Sequence, residues 1–240
     1  MSVHLAGGGW SDDLFREFLG ECAARAAGAG RVVPRVAVLL VAENAPDGAD
    51  AAAKYRAMLG SIAVCEPVVT VILEGNTASS AVLNDIDGLL IGGGLTPAYV
   101  VAVRGLFDEI RLLVHDGLPY LGFSAGAAIA ADVALIGGWL IGDVPVCHEN
   151  TSEDLDEVTV AQGIGLVDMA IDVHAAQWGT VGRLIAATEA ELVEGGVAID
   201  ENTVLIVKDD GVHVEGVGSV WRVTPGEDGV VVSIVGAEAA

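Results

Sequence analysis

The sequence Leu118-Pro119-Tyr120-Leu121-Gly122-Phe123-Ser124-Ala125-Gly126-Ala127 is the most informative part of this 240-residue chain. Its apolar first half is typical of a buried strand, and the small residues after it favour a helix packed closely on that strand. A serine at such a junction, flanked by Gly122 and Gly126, has the layout of a nucleophile elbow, where glycine lets neighbouring backbone pass close. The helix start would direct N–H groups and a positive dipole end at Ser124. The stretch therefore predicts hydrolysis by covalent catalysis, and a serine that only caps a packed helix is the alternative.

Strands and helices alternate along most of the chain. Strands are expected at residues 3–5, 35–42, 68–73, 86–92 and 118–123, and helices at 12–28, 49–60, 97–116 and 125–131. Strands that alternate with helices of this length form a mostly parallel sheet with helices on both faces. We therefore expect an α/β fold with three layers.

The last third of the chain has a different pattern. Short strands separated by glycine-containing turns are expected at Val204–Lys208, Gly211–Glu215, Ser219–Val223 and Gly229–Val235. No linker precedes these strands, so we interpret them as an antiparallel β extension of the same sheet near the C-terminus. Residues 1–240 would then form a single domain.

Composition argues against several classes of partner. The net charge of −23, with only 11 Lys and Arg residues, argues against nucleic acid, because phosphate binding needs clustered cations. No uninterrupted apolar run is long enough to cross a membrane, and the first nine residues lack the features of a signal peptide. The 3 cysteines are far apart and odd in number, which predicts neither a disulfide framework nor a zinc cluster. We therefore expect a soluble, cytoplasmic protein with no nucleic-acid or membrane partner.

Two loops should open on the same edge of the predicted sheet. In parallel sheets the reactive residues lie beyond the carboxyl ends of the strands, and Gly92-Gly93-Gly94 and Ser124 each follow a strand directly. The N–H of Ala125, with one from Gly93 or Gly94, would suit an oxyanion hole beside Ser124. A simple tight turn is the alternative interpretation of the glycine triplet.

A serine nucleophile needs a base, and two of the five histidines are candidates. His174 lies where a short apolar strand passes into a helix, so it should sit at a carboxyl edge as Ser124 does. His148 begins the acidic, polar loop 148–157. Position favours His174 over His148 as the base.

Five motifs in order resemble one known family. They are Gly122-Phe123-Ser124-Ala125-Gly126-Ala127, Gly163-Ile164-Gly165-Leu166, Ile171-Asp172-Val173-His174, Gly179-Thr180-Val181-Gly182-Arg183-Leu184 and Ala198-Ile199-Asp200-Glu201-Asn202-Thr203. Together they are similar to the serine peptidase family that contains aspartyl dipeptidase (peptidase E) and cyanophycinase. The resemblance implies a class I glutamine amidotransferase-like fold, a catalytic pair of Ser124 and His174, no metal or organic cofactor, and a homodimer.

The chain departs from the cyanophycinase pattern beside the histidine. Val173 stands where that pattern has glutamine, and Trp178 and Thr180 stand where it has arginines, so that only Arg183 is kept. Arginines there would suit bidentate contacts with substrate carboxylates, so cyanophycin is not the expected substrate. Trp178 either lines a more apolar substrate pocket or packs its helix. Arg183 either pairs with a substrate carboxylate or forms an internal salt bridge.

A third member of the triad should be a carboxylate that orients the histidine. Asp143 follows a glycine after an apolar run, a plausible strand end, and is favoured over Asp132 and Glu149. Asp200 and Glu201 match the family motif, but we interpret them as a turn ahead of the next strand.

The sequence thus predicts a serine hydrolase that cleaves short peptides, dipeptidase- or exopeptidase-like, with aspartyl and isoaspartyl peptides as candidate substrates. The alternatives are a non-catalytic relative that binds a peptide or metabolite, and a hydrolase of small esters with the same elbow chemistry.

Overall fold

The computed structural model describes residues 1–237. Its strands are β1 (Ser2–Ala6), β2 (Arg35–Ala42), β3 (Glu66–Leu73), β4 (Gly88–Ile91), β5 (Tyr120–Phe123), β6 (Val133–Gly137), β7 (Leu140–Ile141), β8 (Val144–Pro145), β9 (Thr159–Gln162), β10 (Ala170–Val173), β11 (Gly196–Ile199), β12 (Thr203–Lys208), β13 (Gly211–Gly216), β14 (Ser219–Gly226) and β15 (Gly229–Gly236). Its α-helices are α1 (Asp13–Gly28), α2 (Ala45–Ile62), α3 (Thr96–Val103), α4 (Phe107–His115), α5 (Ala125–Ala128), α6 (Ala175–Trp178) and α7 (Val181–Glu189).

A seven-stranded sheet forms the centre of the fold, with the strand order β13-β12-β1-β5-β4-β2-β3. Strands β1, β5, β4, β2 and β3 are parallel to one another, and β12 and β13 add an antiparallel pair at one end. The mostly parallel sheet that the sequence predicts is therefore confirmed. The parallel strands bring the loops after β1, β4 and β5 to one edge.

Both faces of this sheet are buried, because successive side chains of a strand point to opposite faces. In β2, Val36, Val38 and Leu40 pack in a hydrophobic cluster with residues of α1 and α2. Ala37 and Leu39 belong to the other cluster, which contains the apolar residues of α3 and α4. The unbroken apolar run of β2 follows from this burial on both sides.

The helical segment predicted at residues 97–116 is interrupted. The structure has α3 and α4 in this region, joined by a 3₁₀ turn at Arg104–Leu106. Gly105 lies in the middle of that turn and has weak helix propensity, which is the physical reason for the break.

The four C-terminal strands divide between two sheets, which corrects the prediction that all of them extend one sheet. Strands β12 and β13 do extend the central sheet, whereas β14 and β15 join β10 and β11 in a second sheet of order β10-β11-β14-β15. The chain leaves β13 at Gly216, whose φ of 112° turns it toward β11. A side chain on Gly216 would lie 2.1 Å from the carbonyl oxygen of Asn202, so this turn requires glycine.

Within residues 1–237, none of the helices combines the length and the apolar character that crossing a membrane requires.

We predict that Gly122→Ala lowers the free energy of unfolding by about 1–3 kcal/mol, because its Cβ would lie 2.3 Å from the carbonyl oxygen of Gly126 and the backbone would have to shift. The matched control is Gly60→Ala in α2, where no heavy atom lies within 4 Å of the new Cβ. This control should gain about 0.5–1 kcal/mol through helix propensity. Urea unfolding measures both, and equal midpoints for the two variants would contradict the close packing at Gly122.

Candidate active site

Ser124 lies in a sharp turn between β5 and α5. Its φ of 53° and ψ of −109° are rare for a residue with a side chain, and such strain is typical of functional sites. Its N–H donates to the carbonyl oxygen of Ala6 at 2.9 Å. A Cβ on Gly126 would lie 2.2 Å from the carbonyl oxygen of Ile91, so the small residues after Ser124 allow the turn to sit directly on β4. The structure thus has the elbow geometry that the sequence predicts.

His174 is placed against Ser124 by the end of β10. The distance between Ser124 Oγ and His174 Nε2 is 2.9 Å. The backbone of His174 is left-handed (φ 57°, ψ 37°), and its N–H donates to the carbonyl oxygen of Gly7 at 2.9 Å. His148, the other candidate base, begins an exposed 3₁₀ turn, where its ring accepts from the N–H of Asn150. The structure therefore brings Ser124 together with His174.

The carboxylate that contacts His174 is Glu201. Glu201 Oε1 lies 2.8 Å from His174 Nδ1, and Glu201 occupies the turn between β11 and β12. The neighbouring Asp200 is buried and shapes this turn, since its carboxylate accepts from the N–H groups of Ala176 and Ser219.

Asp143 does not take this position, which corrects the preferred assignment of the third residue. Asp143 is exposed in the turn between β7 and β8, Glu149 is exposed in a 3₁₀ turn, and Asp132 is exposed just before β6. The signal for Glu201 was present in the Asp200-Glu201-Asn202-Thr203 motif. What the sequence lacks is the parallel pairing of β10 with β11, which sets Val173 opposite Ile199 and brings the residues after both strands to one edge.

The hydrogen bonds of His174 define its tautomer. The carboxylate of Glu201 accepts, so Nδ1 carries the proton and Nε2 is left to accept from the hydroxyl of Ser124. Burial lowers the pKa of His174 below its ordinary value of 6.5, and the hydrogen bond and charge of Glu201 oppose that shift only in part. The imidazole is therefore neutral at pH 7 and able to take a proton.

Of the three backbone N–H groups that the sequence offers for an oxyanion hole, two have no partner within residues 1–237. They are those of Ala125, at the start of α5, and Gly94, in the loop after β4. The N–H of Gly93 instead donates to the hydroxyl of Tyr55 at 3.3 Å. Gly93 is close to the nucleophile, because a Cβ there would lie 3.0 Å from Ser124 Cβ. Ala125 and Gly94 are thus the available donors for a developing oxyanion.

Trp178 contacts the histidine directly. Its indole is stacked on the imidazole of His174, with ring centroids 3.8 Å apart and planes inclined by 9°. The indole is still 45% exposed. It therefore covers one face of the candidate base.

Arg183 forms an internal salt bridge, which corrects its assignment to substrate binding. Its Nε and Nη2 donate to Asp172 at 2.9 and 2.7 Å. Its Nη1 donates to the carbonyl oxygens of Gly138 and Thr151. At 4% exposure, the guanidinium is buried and its donors are occupied by the protein.

An aromatic wall, defined as Trp10, Tyr55 and Phe123, lies beside the nucleophile. Phe123 directly precedes Ser124, and the Trp10 ring lies 5.2 Å from the Phe123 ring and 5.1 Å from the Tyr55 ring. Lys54 Nζ lies 3.6 Å from the centroid of the Trp10 ring, and within residues 1–237 this lysine forms no salt bridge. Tyr55 and Phe123 are buried, so the part of the wall that solvent reaches is Trp10, at 40% exposure, together with the exposed Lys54.

The described part of the chain places no group of three or more His, Cys, Asp or Glu side chains where they could hold a metal ion. The side chains brought together at the edge of the sheet are a hydroxyl, an imidazole and a carboxylate, which suffice for nucleophilic catalysis.

We predict that Arg183→Gln lowers the free energy of unfolding by about 3–5 kcal/mol, because it leaves the buried carboxylate of Asp172 unpaired. The matched control is Arg16→Gln, which removes an exposed pair with Asp13 and should change stability by less than about 0.5 kcal/mol. Both are measured by urea unfolding. A loss at Arg183 no larger than that at Arg16 would contradict the structural role of this arginine.

Comparison with known proteins identifies the family of this chain. The model of peptidase family S51 matches residues 42–215, more than half of the chain. A cyanophycinase of Trichormus variabilis is 33% identical over 152 residues, which is 61% of this chain and 48% of that protein. A cyanophycinase of Synechococcus elongatus is 30% identical over 182 residues, or 71% of this chain and 53% of that protein.

The chain thus spans about half the length of the cyanophycinases it matches. A shorter match, 41% identical over 51 residues, is to the pyridoxal 5′-phosphate synthase subunit PdxT of Pyrococcus furiosus and covers 20% of this chain and 26% of that protein. The family resemblance predicted from the sequence is confirmed, and the chain belongs to peptidase family S51.

Proposed function

We propose that this protein is a serine-type peptidase that cleaves short peptides. The observation that carries the proposal is the unbroken connection from Ser124 Oγ to His174 Nε2, at 2.9 Å, and from His174 Nδ1 to Glu201, at 2.8 Å. This is the arrangement of nucleophile, base and orienting carboxylate that serine hydrolases of unrelated folds share. The family membership supports the same chemistry.

In the proposed mechanism, Nε2 of His174 takes the proton of the Ser124 hydroxyl as Oγ attacks the peptide carbonyl carbon. The N–H groups of Ala125 and Gly94 stabilise the oxyanion, and Glu201 stabilises the imidazolium. His174 then gives its proton to the leaving amine as the peptide bond breaks. Water, activated by the same imidazole, hydrolyses the acyl-enzyme and regenerates the serine.

The preferred substrates in this proposal are short peptides that carry a carboxylate, aspartyl and isoaspartyl dipeptides among them. The exposed Lys54 on the aromatic wall is a cation able to meet such a group. Cyanophycin itself is not proposed, although relatives bear the name cyanophycinase. Thr180 stands where the family pattern has an arginine, and it is buried and donates to the carbonyl oxygen of Val173. Arg183, the arginine that is kept, forms a salt bridge with Asp172.

The contacts of His174 favour catalysis over the binding-only alternative. A relative without activity would be expected to have the serine and histidine separated and no carboxylate behind the ring, whereas both contacts here are below 3 Å. Hydrolysis of small esters would use the same atoms, and substrate testing separates it from peptidase activity.

We also propose that the fold is of the three-layer, class I glutamine amidotransferase-like type. The elbow after a central parallel strand and the two hydrophobic clusters, with α1 and α2 in one and α3 and α4 in the other, support this assignment.

The first test is hydrolysis of a mixed dipeptide library that contains α-aspartyl, β-aspartyl and neutral N-terminal residues, followed by mass spectrometry. We expect loss of acidic dipeptides with the wild-type protein and none with Ser124→Ala. Glu201→Gln should lower kcat by about 10⁴-fold, because it favours the wrong tautomer of His174. The matched control Asp143→Asn should leave the rate unchanged. Equal turnover by wild type and Ser124→Ala would refute the proposal, and Ser124-dependent cleavage of esters alone would favour the esterase.

We predict that kcat/KM for a cleaved dipeptide rises with pH along an acid limb whose midpoint lies below 6.5. The midpoint of this limb reflects the pKa of His174 in the free enzyme, because His174 must be neutral to act as a base. Burial lowers this pKa. Since Glu201 raises this pKa, Glu201→Gln should move the midpoint to still lower pH. A pH–rate profile of both proteins measures this, and a wild-type midpoint above 6.5 would contradict the burial of the base.

A further inference from the structure

The imidazole of His174 is enclosed by contacts of several kinds. Ser124 lies at Nε2 and Glu201 at Nδ1, and these bonds hold the two nitrogens. The backbone of Gly8 lies against the ring carbon between them, since a Cβ on Gly8 would be 2.1 Å from Cε1. The indole of Trp178 covers a face of the ring. Hydrogen bonds thus engage both nitrogens of the imidazole, and the indole contacts its face.

The backbone of α6 determines the position of this indole. Helix α6 is a single turn, in which the N–H of Trp178 donates to the carbonyl oxygen of His174 at 2.9 Å. Gly179 ends the turn in a left-handed conformation, with φ of 74°. Trp178 is therefore held one turn from the histidine. The hydrophobic core does not account for its position, because the indole is 45% exposed while His174 is 7% exposed.

We propose that Trp178 is a positioning residue, which holds the imidazole of His174 in the plane between Ser124 and Glu201 and stabilises its protonated form. The inference rests on the proposed function, because it concerns the base of that reaction. The physical reason is that catalysis turns the neutral imidazole into a cation, and the face of an indole attracts cations. At 3.8 Å the parallel rings are in direct contact, so this attraction acts when the proton arrives.

This role differs from that of a substrate platform in its kinetic effect. A residue that only binds substrate changes KM, whereas one that stabilises the protonated base changes kcat. Removal of the indole as Trp178→Ala should lower kcat by about 3- to 30-fold with KM unchanged, the range expected of a cation–π contact. Trp178→Phe keeps an aromatic face and should recover most of the rate.

A covalent serine probe gives a readout that needs no peptide substrate. A fluorophosphonate reacts with a serine that its base has activated, so the labelling rate of Ser124 reports His174 directly. We expect Trp178→Ala to label about 3- to 30-fold more slowly than wild type and Trp178→Phe to label close to wild type. Wild-type labelling by Trp178→Ala would overturn the inference, and so would a change in KM alone.

Tryptophan emission tests the stack independently of reactivity. An imidazolium quenches a stacked indole more strongly than a neutral imidazole does, so wild-type emission should fall as the pH is lowered and His174 is protonated, with a midpoint below 6.5. The groups that act on this titration are Glu201, Asp172 and Arg183. The pH-dependent component should disappear in both Trp178→Phe and His174→Gln, with the other three tryptophans as a constant background. Its persistence in either variant would contradict the inference.

Probe labelling and the emission titration distinguish a failure of the proposed function from a failure of the positioning role of Trp178. If wild type and Ser124→Ala react equally with the probe, the proposed function fails, while the emission titration still decides whether Trp178 senses the charge of His174. If wild type labels and the emission titration is absent, the positioning role fails and the hydrolase survives.

Discussion

Three segments of the candidate site are hydrogen-bonded to one short stretch of backbone, the last residue of β1 and the glycine-rich turn that follows it. The carbonyl oxygens of Ala6, Gly7 and Gly8 accept from the N–H groups of Ser124, His174 and Asn202, respectively, at 2.8–2.9 Å. These segments come from the elbow, from the end of β10 and from the turn after β11. Only glycine fits there, since a side chain on Gly7 or Gly8 would lie 2.3 Å from the carbonyl oxygen of Asp200 or 2.1 Å from the ring of His174. The turn therefore sets the nucleophile, the base and the carboxylate at fixed distances.

This attachment also explains how the site tolerates strained backbone. Ser124, His174 and Asn202 all have positive φ, at 53°, 57° and 54°, and each such residue costs about 1–3 kcal/mol. The strain persists because each of the three donates a backbone hydrogen bond to the same glycine-rich turn. As a result, the side chains of Ser124 and His174 are already in contact in the structure, at 2.9 Å, which is the preorganisation that the proposed catalysis requires.

Few cationic side chains lie near the candidate site of this acidic protein. The one arginine that the family pattern shares, Arg183, neutralises buried Asp172 and ties the loop at Thr151 to α7. The base is shielded by an indole where the family pattern has an arginine. The cation that we propose for recognition of a charged substrate group is the exposed Lys54, which lies over the Trp10 ring. Family membership and the substrate preference that we propose are compatible for this reason.

Much of the fold and part of the candidate site could be predicted from local patterns in the sequence. The alternation of strands and helices, the glycine-flanked serine at a strand end and the strand-to-helix position of His174 each depend on neighbours within about ten residues, so the sequence predicts them. The break at Gly105 was not predicted, because the apolar residues on both sides of it follow helical spacing.

Tertiary contacts determined the other parts of the candidate site. Asp143 and Glu201 carry the same chemical group at a strand end, and only the pairing of β10 with β11 brings Glu201 to the histidine. Arg183 could bind substrate or Asp172, and only its burial selects Asp172. The sequence left Trp178 either lining a substrate pocket or packing its helix, and only the turn of α6 places its indole on the imidazole. By itself, the sequence determined the family, the glycine-flanked serine at a strand end and the strand-to-helix position of His174, because short ordered motifs encode them. The structure decided the third carboxylate, the partner of the arginine and the place of the indole, because those depend on contacts between residues that the chain order keeps apart.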